Sequence, residues 1–319
     1  MFTSRQWLEA VSAVICTGDE KVVLAGVVAE NGLVGLLPLV RGGGNTLCSL
    51  RHRYTPHFSL LLAESDRAQV LACLARGLSE LPINGVLLEP AIAEDRNLAD
   101  LLAGLASAGF VCERHFRHYN WIYRVEGRTY QEFLASRPAR LRNTLARKKR
   151  KLAREQRYEI RLYTGDEVSH GMPDYYMIYN ASWKAREQYS GFLDNIVTAF
   201  SRQDWIRLAV LYINGQPAAA QLWFVNHSKA SIFRLAYDEK WKSYSPGSIL
   251  MGFLMEYVIE HDKVEEIDFL TGNESYKQDW MSARRECHAL SCVRDAVDQN
   301  RNSVIGNILK RMGRIRTVY

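Results

Sequence analysis

The sequence lacks a long apolar run and a secretion signal. None of its apolar stretches approaches the ~18 residues that a membrane-spanning helix needs. Residues 1–5, "MFTSR", have neither the basic region nor the apolar core of a signal peptide. These two absences predict a cytoplasmic protein without a membrane span.

Cysteine and histidine are scarce and scattered. The chain has six cysteines and eight histidines, with no Cys-x-x-Cys pair and no zinc-type spacing. The pairs His52/His57 and His115/His118 have no carboxylate or thiol partners at a spacing that would complete a metal site. We therefore predict free, buried thiols in a reducing compartment and no bound metal.

Length and charge indicate more than one domain and one basic segment. Single cores stop growing near ~250 to 300 residues, whereas this chain has 319, so two domains or one repeated fold are expected. The net charge of +6 is unevenly placed. Residues 137–157, "RPARLRNTLARKKRKLAREQR", carry many cations and one acid, an excess that attracts polyanions.

Two hairpins of similar sequence suggest an internal repeat. Residues 24–40 and 207–225 are β-rich runs interrupted by Asn-Gly, the pair that favours a tight turn. Each hairpin is followed by the same order of elements at a matched interval, which argues for two copies of one α/β unit. The expected elements are a helix at 65–81 and a strand at 85–89 in the first copy, and a strand at 230–237, a helix at 246–261 and a strand at 264–270 in the second.

The remaining pattern completes an α/β fold with a mixed, mostly antiparallel sheet flanked by helices. The predicted helix at 140–156 has a narrow apolar stripe formed by Leu141, Leu145 and Leu152. Further predictions are helices at 95–107, 173–188, 192–201 and 273–281, strands at 110–125, 158–164 and 287–294, and a basic amphipathic helix at 304–319.

The start of the helix at 246 has two interpretations. Helix N-termini present unpaired N–H groups and a positive dipole end, which suit a phosphate. Gly247 permits close approach, Pro246 costs no hydrogen bond in the first turn, and Ser245 or Ser248 offers a hydroxyl. The alternative is a plain capped helix, since Ser-Pro begins many helices.

The order of elements and several motifs resemble a known family. The segments "LRNTLARKKRKLARE", "YDEKWKSYSPGSIL", "DFLTG" and "YKQDW" occur in an order and spacing similar to those of the GNAT superfamily of acyl-CoA N-acyltransferases. More narrowly, the chain resembles the branch with two tandem halves, which includes CelD-like acetyltransferases and FemABX aminoacyl transferases. The resemblance implies a degenerate GNAT-like half at 1–125 and an acyltransferase domain at 126–319 with its basic helix at 138–157.

The resemblance assigns a donor site for acyl-CoA, such as acetyl-CoA, and no metal. The family's pyrophosphate loop, Arg/Gln-x-x-Gly-x-Gly/Ala, corresponds here to residues 242–247, with Lys242 in first place and Gly247 matching the last glycine. The thioester is expected between two parted strands, at 233–237 and 267–270. The implied donor-binding residues are Lys242, Ser245, Gly247, Ser248, Phe233, Leu235 and Tyr237.

The resemblance also suggests three catalytic residues. Asp268 is interpreted as a general base or amine anchor, or alternatively as an N-cap or a salt-bridged acid near a loop. Tyr276 matches a tyrosine that protonates the leaving thiolate, the alternative being an aromatic side chain packed on the sheet. Lys277 matches a lysine that stabilises the oxyanion or the donor, the alternative being a surface lysine.

Acceptor contacts are expected from two segments. Trp183, Lys184 and Arg186 correspond to the acceptor side in this branch, the alternative being a core Trp183 and a solvated Arg186. In the first half, Tyr54 is a further predicted acceptor contact.

The leading hypothesis is an N-acyltransferase that transfers an acyl group from acyl-CoA to a small-molecule amine such as an amino sugar, an amino acid or a peptide-like metabolite. The second is FemABX-type transfer from aminoacyl-tRNA, with a tRNA contact at 137–157. The third is a non-catalytic protein that binds nucleic acid or another polyanion.

Overall fold

The computed structural model describes residues 1–15, 21–63, 66–184 and 187–294. Of the described residues, those in 1–119 and 285–294 form one compact unit, unit 1, and those in 120–284 form a second, unit 2. The last strand, which the sequence prediction assigns to the second half, thus contributes to unit 1 from Arg285 onward. The predicted helix at 304–319 lies outside the described residues.

The helices and strands are numbered along the chain. They are α1 (Arg5–Ile15), β1 (Val22–Ala29), β2 (Gly32–Arg41), β3 (Thr46–Ser49), β4 (Leu61–Leu62), α2 (Arg67–Glu80), β5 (Gly85–Ile92), α3 (Arg96–Ser107), β6 (Phe110–Arg124), α4 (Tyr130–Ala135), α5 (Ala139–Glu155), β7 (Tyr158–Tyr163), α6 (Val168–Ala181), α7 (Ser190–Ser201), β8 (Ile206–Ile213), β9 (Gln216–Asn226), β10 (Lys229–Tyr237), α8 (Pro246–Glu260), β11 (Glu266–Thr271), α9 (Lys277–Trp280) and β12 (Ala283–Arg294).

The sheet of unit 1 follows the order β1-β2-β3-β5-β12-β6, with β4 also paired to β2. The first predicted hairpin is confirmed, but Ala29 pairs with Gly32, so its turn is Glu30-Asn31, one residue earlier than expected. Its strand β3 runs parallel to β5. Leucines of α2 and α3 pack against this sheet and form the core of the unit.

Two cysteines of unit 1 form a disulfide. Cys112 on β6 and Cys292 on β12 are bonded, with their Cα atoms 4.1 Å apart. The prediction of free thiols is wrong for this pair, because the fold brings onto adjacent strands two residues that are 180 positions apart in the sequence. Among the described residues, Cys73 is a free thiol.

The sheet of unit 2 follows the order β6-β11-β10-β9-β8-β7, where β6 contributes its last residues, from 120 onward. The second predicted hairpin is confirmed: Ile213 pairs with Gln216 around Asn214-Gly215. Helices α4, α5 and α8 pack on one face of the sheet. Helix α6 packs on the other face of the sheet. Its Gly171 lies against Leu208 on β8, and the neighbouring Ala209 belongs to the core on the face of α8, so Leu208 points to the opposite face.

Two helices differ from the sequence prediction. Helix α6 begins at Val168 and ends at Ala181, so Pro173 lies inside it and Trp183 beyond it. The prediction took Pro173 as the helix start, whereas the buried residues Val168 and Met172 extend the apolar face upstream. Helix α9 has a single turn, and Tyr276 immediately precedes it. Helix α5 and its buried stripe agree with the prediction.

No helix in the described ranges is both long and apolar enough to cross a membrane. The same ranges contain no cluster of three metal-ligating side chains.

Candidate active site

The parallel strands β10 and β11 separate after a short ladder. They pair at Lys229↔Glu266, Ala230↔Ile267 and Ser231↔Asp268. Directly beyond these pairs, the register of β10 against β9 shifts between Ile232 and Arg234, and that of β11 against β6 shifts after Asp268. Such irregularities bend strands, so a gap opens between the ends of β10 and β11.

A cavity of about 690 Å³ lies at these parted ends. It is bordered by the end of β10, the first turns of α5 and α8, and the segment that follows β11. Its lining residues are Arg140, Leu141, Thr144, Trp183, Gln221, Leu235, Ala236, Tyr237, Lys242, Ser245, Gly247, Ser248, Met251, Ser275, Tyr276, Gln278, Asp279 and Trp280.

The N-terminus of α8 enters this cavity. Ser245 has a left-handed backbone (φ 54°) that turns the chain into the helix, and Pro246 occupies the first helical position. The Gly247 carbonyl accepts a hydrogen bond of 2.8 Å from Gln221 Nε2, and a Cβ on this glycine would lie 3.3 Å from Tyr237 Cδ1. The cavity therefore receives the positive end of the helix dipole with little side-chain cover.

Cations surround the loop before α8. Lys148 Nζ on α5 donates to the Ser243 carbonyl at 2.5 Å, and Lys151 Nζ lies 4.9 Å from the centre of the Tyr244 ring. In the cavity itself, Lys242 extends from the loop, and Arg140 Nε donates to Asp279 Oδ1 at 2.9 Å. The basic helix predicted from sequence thus contacts the predicted phosphate loop.

Tyr276 lies between the cavity and the end of β11. Its ring packs edge-on against Phe269, with centroids 5.5 Å apart. Although 43% of the residue is exposed, burial and then the nearby charge of Glu274 raise the pKa of its hydroxyl. The hydroxyl is therefore protonated at neutral pH.

Lys277 is buried and does not line the cavity. Its Nζ donates to the Thr271 carbonyl at 2.6 Å and lies 3.0 Å from Glu274 Oε2. Burial lowers the pKa of this ammonium. The interpretation as a surface lysine is wrong, because the side chain fastens the end of β11.

Asp268 is also fully buried and lies at the last pair of the ladder. Its Oδ1 accepts from the Leu270 N–H at 2.7 Å, and its Oδ2 lies 3.0 Å from Lys229 Nζ. These contacts match the salt-bridged alternative. Its catalytic role stays a prediction.

The predicted donor and acceptor residues divide between the cavity and other places. Six of the seven predicted donor residues line the cavity, whereas Phe233 stacks on Phe224 at 4.5 Å and does not line it. Trp183 lines the cavity beside Tyr237, with ring centroids 4.7 Å apart, and is 52% exposed, so the core interpretation is wrong.

The other predicted acceptor residues lie elsewhere. Lys184 Nζ lies over the rings of Trp183 and Tyr179, at 5.7 and 5.9 Å from their centres. Tyr54 belongs to unit 1, where its ring packs on His52 at 4.8 Å. Arg186 lies outside the described residues.

Sequence reasoning missed several cavity residues. Arg140, Leu141 and Thr144 lie on one side of α5, and the sequence shows this, because Thr144 is three positions from Leu141 and four from Arg140. Gln221 and Met251 lie within regular elements where nothing in the sequence distinguishes them from core residues. Asp279 and Trp280 belong to the quoted "YKQDW" motif but were given no role.

The family comparison defines the class of the protein. Residues 139–278 match the family described as "Acetyltransferase (GNAT) domain". This segment contains α5, α8 and the parted strands, so the fold and the family agree. The segment is similar to a GNAT domain, and the enzyme is an acyltransferase.

Solved structures extend the similarity of fold to nearly the whole chain. The crystal structure of FemX is similar with a TM-score of 0.65 and 12% identity, over 96% of this chain and 94% of that one. L-PGS from Bacillus licheniformis has a TM-score of 0.57 and 12% identity, over 97% and 96%. The C-terminal domain of a putative lysylphosphatidylglycerol synthetase from Agrobacterium fabrum has a TM-score of 0.55 and 13% identity, over 94% and 92%. Among curated proteins, none matches the sequence.

Proposed function

We propose that the enzyme transfers an acyl group from acyl-CoA to an amine by direct attack, with no acyl-enzyme intermediate. The observation that carries this proposal is the meeting of two features in one cavity. The parted ends of β10 and β11 supply space for a thioester, and the N-terminus of α8 supplies an anion site next to it.

The chemistry of the lining suits an acyl-CoA donor. Ser245 and Ser248 offer hydroxyls, and Lys242 offers an ammonium to the phosphates. Arg140 offsets the charge of Asp279, so the lining is not anionic. Leu235 gives the thioester arm an apolar contact.

The reaction forms a C–N bond and breaks a C–S bond. A neutral amine attacks the thioester carbonyl, and the resulting ammonium loses its proton to water, because Asp268 is held by Lys229. Backbone N–H groups of β10 beyond Ser231 are our proposed oxyanion donors, since the ladder with β11 ends there. Tyr276, protonated at neutral pH, gives its proton to the leaving thiolate. Lys277 positions the end of β11.

Binding of coenzyme A tests the donor. Ser248 lies in the first turn of α8, where Asp favours the helix dipole by ~0.3 to 1 kcal/mol. We therefore expect Ser248→Asp to fold at least as well as the parent while weakening CoA at least about tenfold by repulsion of its phosphates. The matched control is Ser248→Asn, because asparagine has the size of aspartate and no charge.

The measurement is the rise in thermal stability with CoA, which at ~100 times the dissociation constant amounts to about 2.7 kcal/mol. Pantetheine, which lacks the phosphates, is expected to stabilise less. An unchanged melting temperature with saturating CoA, or equal stabilisation of both Ser248 variants, would overturn the proposal.

A second candidate is FemABX-type transfer from aminoacyl-tRNA. It is favoured by the similarity of fold to FemX and by the exposed cations of α5, among them Arg147, Lys149 and Arg150. Such a contact predicts tRNA binding that weakens steeply with salt, with a slope that falls when these cations are replaced by Gln. Turnover with aminoacyl-tRNA and none with acyl-CoA would favour this candidate over the first. The family match argues against the third, non-catalytic hypothesis.

A further inference from the structure

A cluster of charged side chains borders the gap between the parted strands. Arg234 lies on β10 just beyond the last pair of the ladder. Lys277 Nζ is bonded to the carbonyls of Phe269 and Thr271 at the end of β11. Lys184 lies within electrostatic range of both cations. Positive charge is thus present on both sides of the gap.

The cluster has more cations than acids. Glu187 Oε2 lies 3.3 Å from Arg234 Nη2, and Glu274 Oε2 lies 3.0 Å from Lys277 Nζ. Within the described ranges, no carboxylate lies at ion-pair distance from Lys184. Burial, followed by the charges of Arg234 and Lys277, lowers the pKa of Lys184 to about 8, while the more weakly acting charges of Glu274 and Glu187 raise it. A partly buried ammonium with no carboxylate at ion-pair distance is unfavourable unless a ligand supplies one.

A buried hydroxyl beside the cluster is also unsatisfied. Tyr175 is fully buried, and its hydroxyl has no hydrogen-bond partner among the residues that the structure describes. It lies within electrostatic range of Arg234 and Glu187. Because buried polar groups are nearly always hydrogen-bonded, this hydroxyl is a second, independent sign of a group that the chain itself does not provide.

We propose that Lys184 and Arg234 bind an anionic group, carboxylate or phosphate, that the acceptor carries close to its amine. An anion at Lys184 completes the charge balance of the cluster. Because Arg234 lies on β10 and Lys277 is bonded to the end of β11, an anion held between them brings a nearby amine to the thioester. The inference rests on the proposed function for the role of the gap, but the anion site itself is tested without a donor.

The first test is stabilisation by small amines in the absence of CoA. Glycine carries a carboxylate, O-phosphoethanolamine carries a phosphate, and ethanolamine carries neither. At ~10 times its dissociation constant, a bound ligand raises the ratio of folded to unfolded protein about elevenfold. At equal ionic strength, we expect glycine or O-phosphoethanolamine to stabilise the protein, and ethanolamine to have no effect. Which of the two stabilises more identifies the anion.

The variant Lys184→Met tests the anion site specifically, because it removes the ammonium proposed to bind the anion. We expect it to be no less stable than the parent, because an unpaired ammonium is replaced by an apolar side chain of similar length. It should lose the stabilisation by the anionic amine and keep that by CoA. Tyr175→Phe should fold equally well and bind the anionic amine more weakly.

The outcomes separate the two proposals. If neither anionic amine stabilises the parent, or if Lys184→Met is stabilised as strongly as the parent, the anion site is wrong. If the anionic amine stabilises the parent and CoA does not, the anion site stands and the donor proposal fails.

Discussion

The two units build the same short parallel ladder and then use the space beyond it in opposite ways. In unit 1, β3 pairs with β5 at Thr46↔Gly85, Leu47↔Val86 and Cys48↔Leu87. In unit 2, β10 pairs with β11 over three residues as well. Beyond its ladder, unit 2 has the cavity, whereas in unit 1 the chain returns to β5: Phe58 bridges to Ala91, and its N–H donates to the Pro90 carbonyl at 2.6 Å.

The charged groups beyond the ladder also differ between unit 1 and unit 2. In unit 1, the buried Glu89 at this end of β5 is bonded by Arg51 and lies 3.2 Å from Arg117 Nε. Helix α2 is preceded by Asp66, an acid that opposes anion binding, whereas α8 begins with Pro246-Gly247. The same arrangement of strands therefore gives either a closed end of the sheet or a ligand cavity. Which of the two forms depends on the segment that follows the first strand of the parallel ladder, β3 in unit 1 and β10 in unit 2. That the first half is a degenerate copy stays a prediction.

The largest expected effect comes from opening the closed end. Phe58→Ala removes a side chain that is 3% exposed and should lower the free energy of unfolding by ~3 to 5 kcal/mol. Because Phe58 belongs to unit 1, we expect the affinity of the folded enzyme for CoA to be unchanged. Chemical denaturation and CoA titration check the two parts, and a loss of less than about 1 kcal/mol would contradict the closed end.

A smaller effect is expected at the open end. Leu235→Ala truncates a partly exposed residue of the cavity wall, so the free energy of unfolding should fall by only ~1 to 2 kcal/mol. The same change should weaken binding of acyl-CoA, because the thioester arm loses an apolar contact. Leu235→Met is the control that keeps the apolar volume. Equal affinity of all three proteins would remove Leu235 from the donor site.

A further effect is a dependence of the free energy of unfolding on pH. The pKa of Lys184 is lowered from 10.5 to about 8 in the folded state, so its charge disfavours folding below pH 8. Between about pH 8 and 10.5 the unfolded chain binds more protons at this position, and the penalty disappears as the pH rises. Lys184→Met should therefore be more stable than the parent at pH 7, and the difference should shrink towards pH 10. A difference that is constant over this range would contradict the lowered pKa.

Sequence patterns located the elements of the fold better than the contacts of the site. The Asn-Gly pairs located both hairpins to within one residue, and the apolar stripe of α5 predicted its buried face, because these signals depend on local backbone and periodicity. The start of α6 was misplaced, since Pro173 occurs inside the helix rather than at its start.

The site depends on contacts that are distant in sequence. The motif "YKQDW" was recognised, but sequence alone did not show that Lys277 bonds to carbonyls of β11 while Asp279 pairs with Arg140, 139 positions away. Likewise, Asp268 lies on the expected strand, yet its pairing with Lys229 depends on the register of two parallel strands.

The disulfide between Cys112 and Cys292 has a consequence for limited proteolysis. These cysteines flank the whole of unit 2, which runs from Asn120 to Arg284. A protease that cuts once anywhere between them leaves two fragments joined by the disulfide. On an unreduced gel the nicked enzyme therefore runs as a single covalent species, and only a reducing agent separates its pieces.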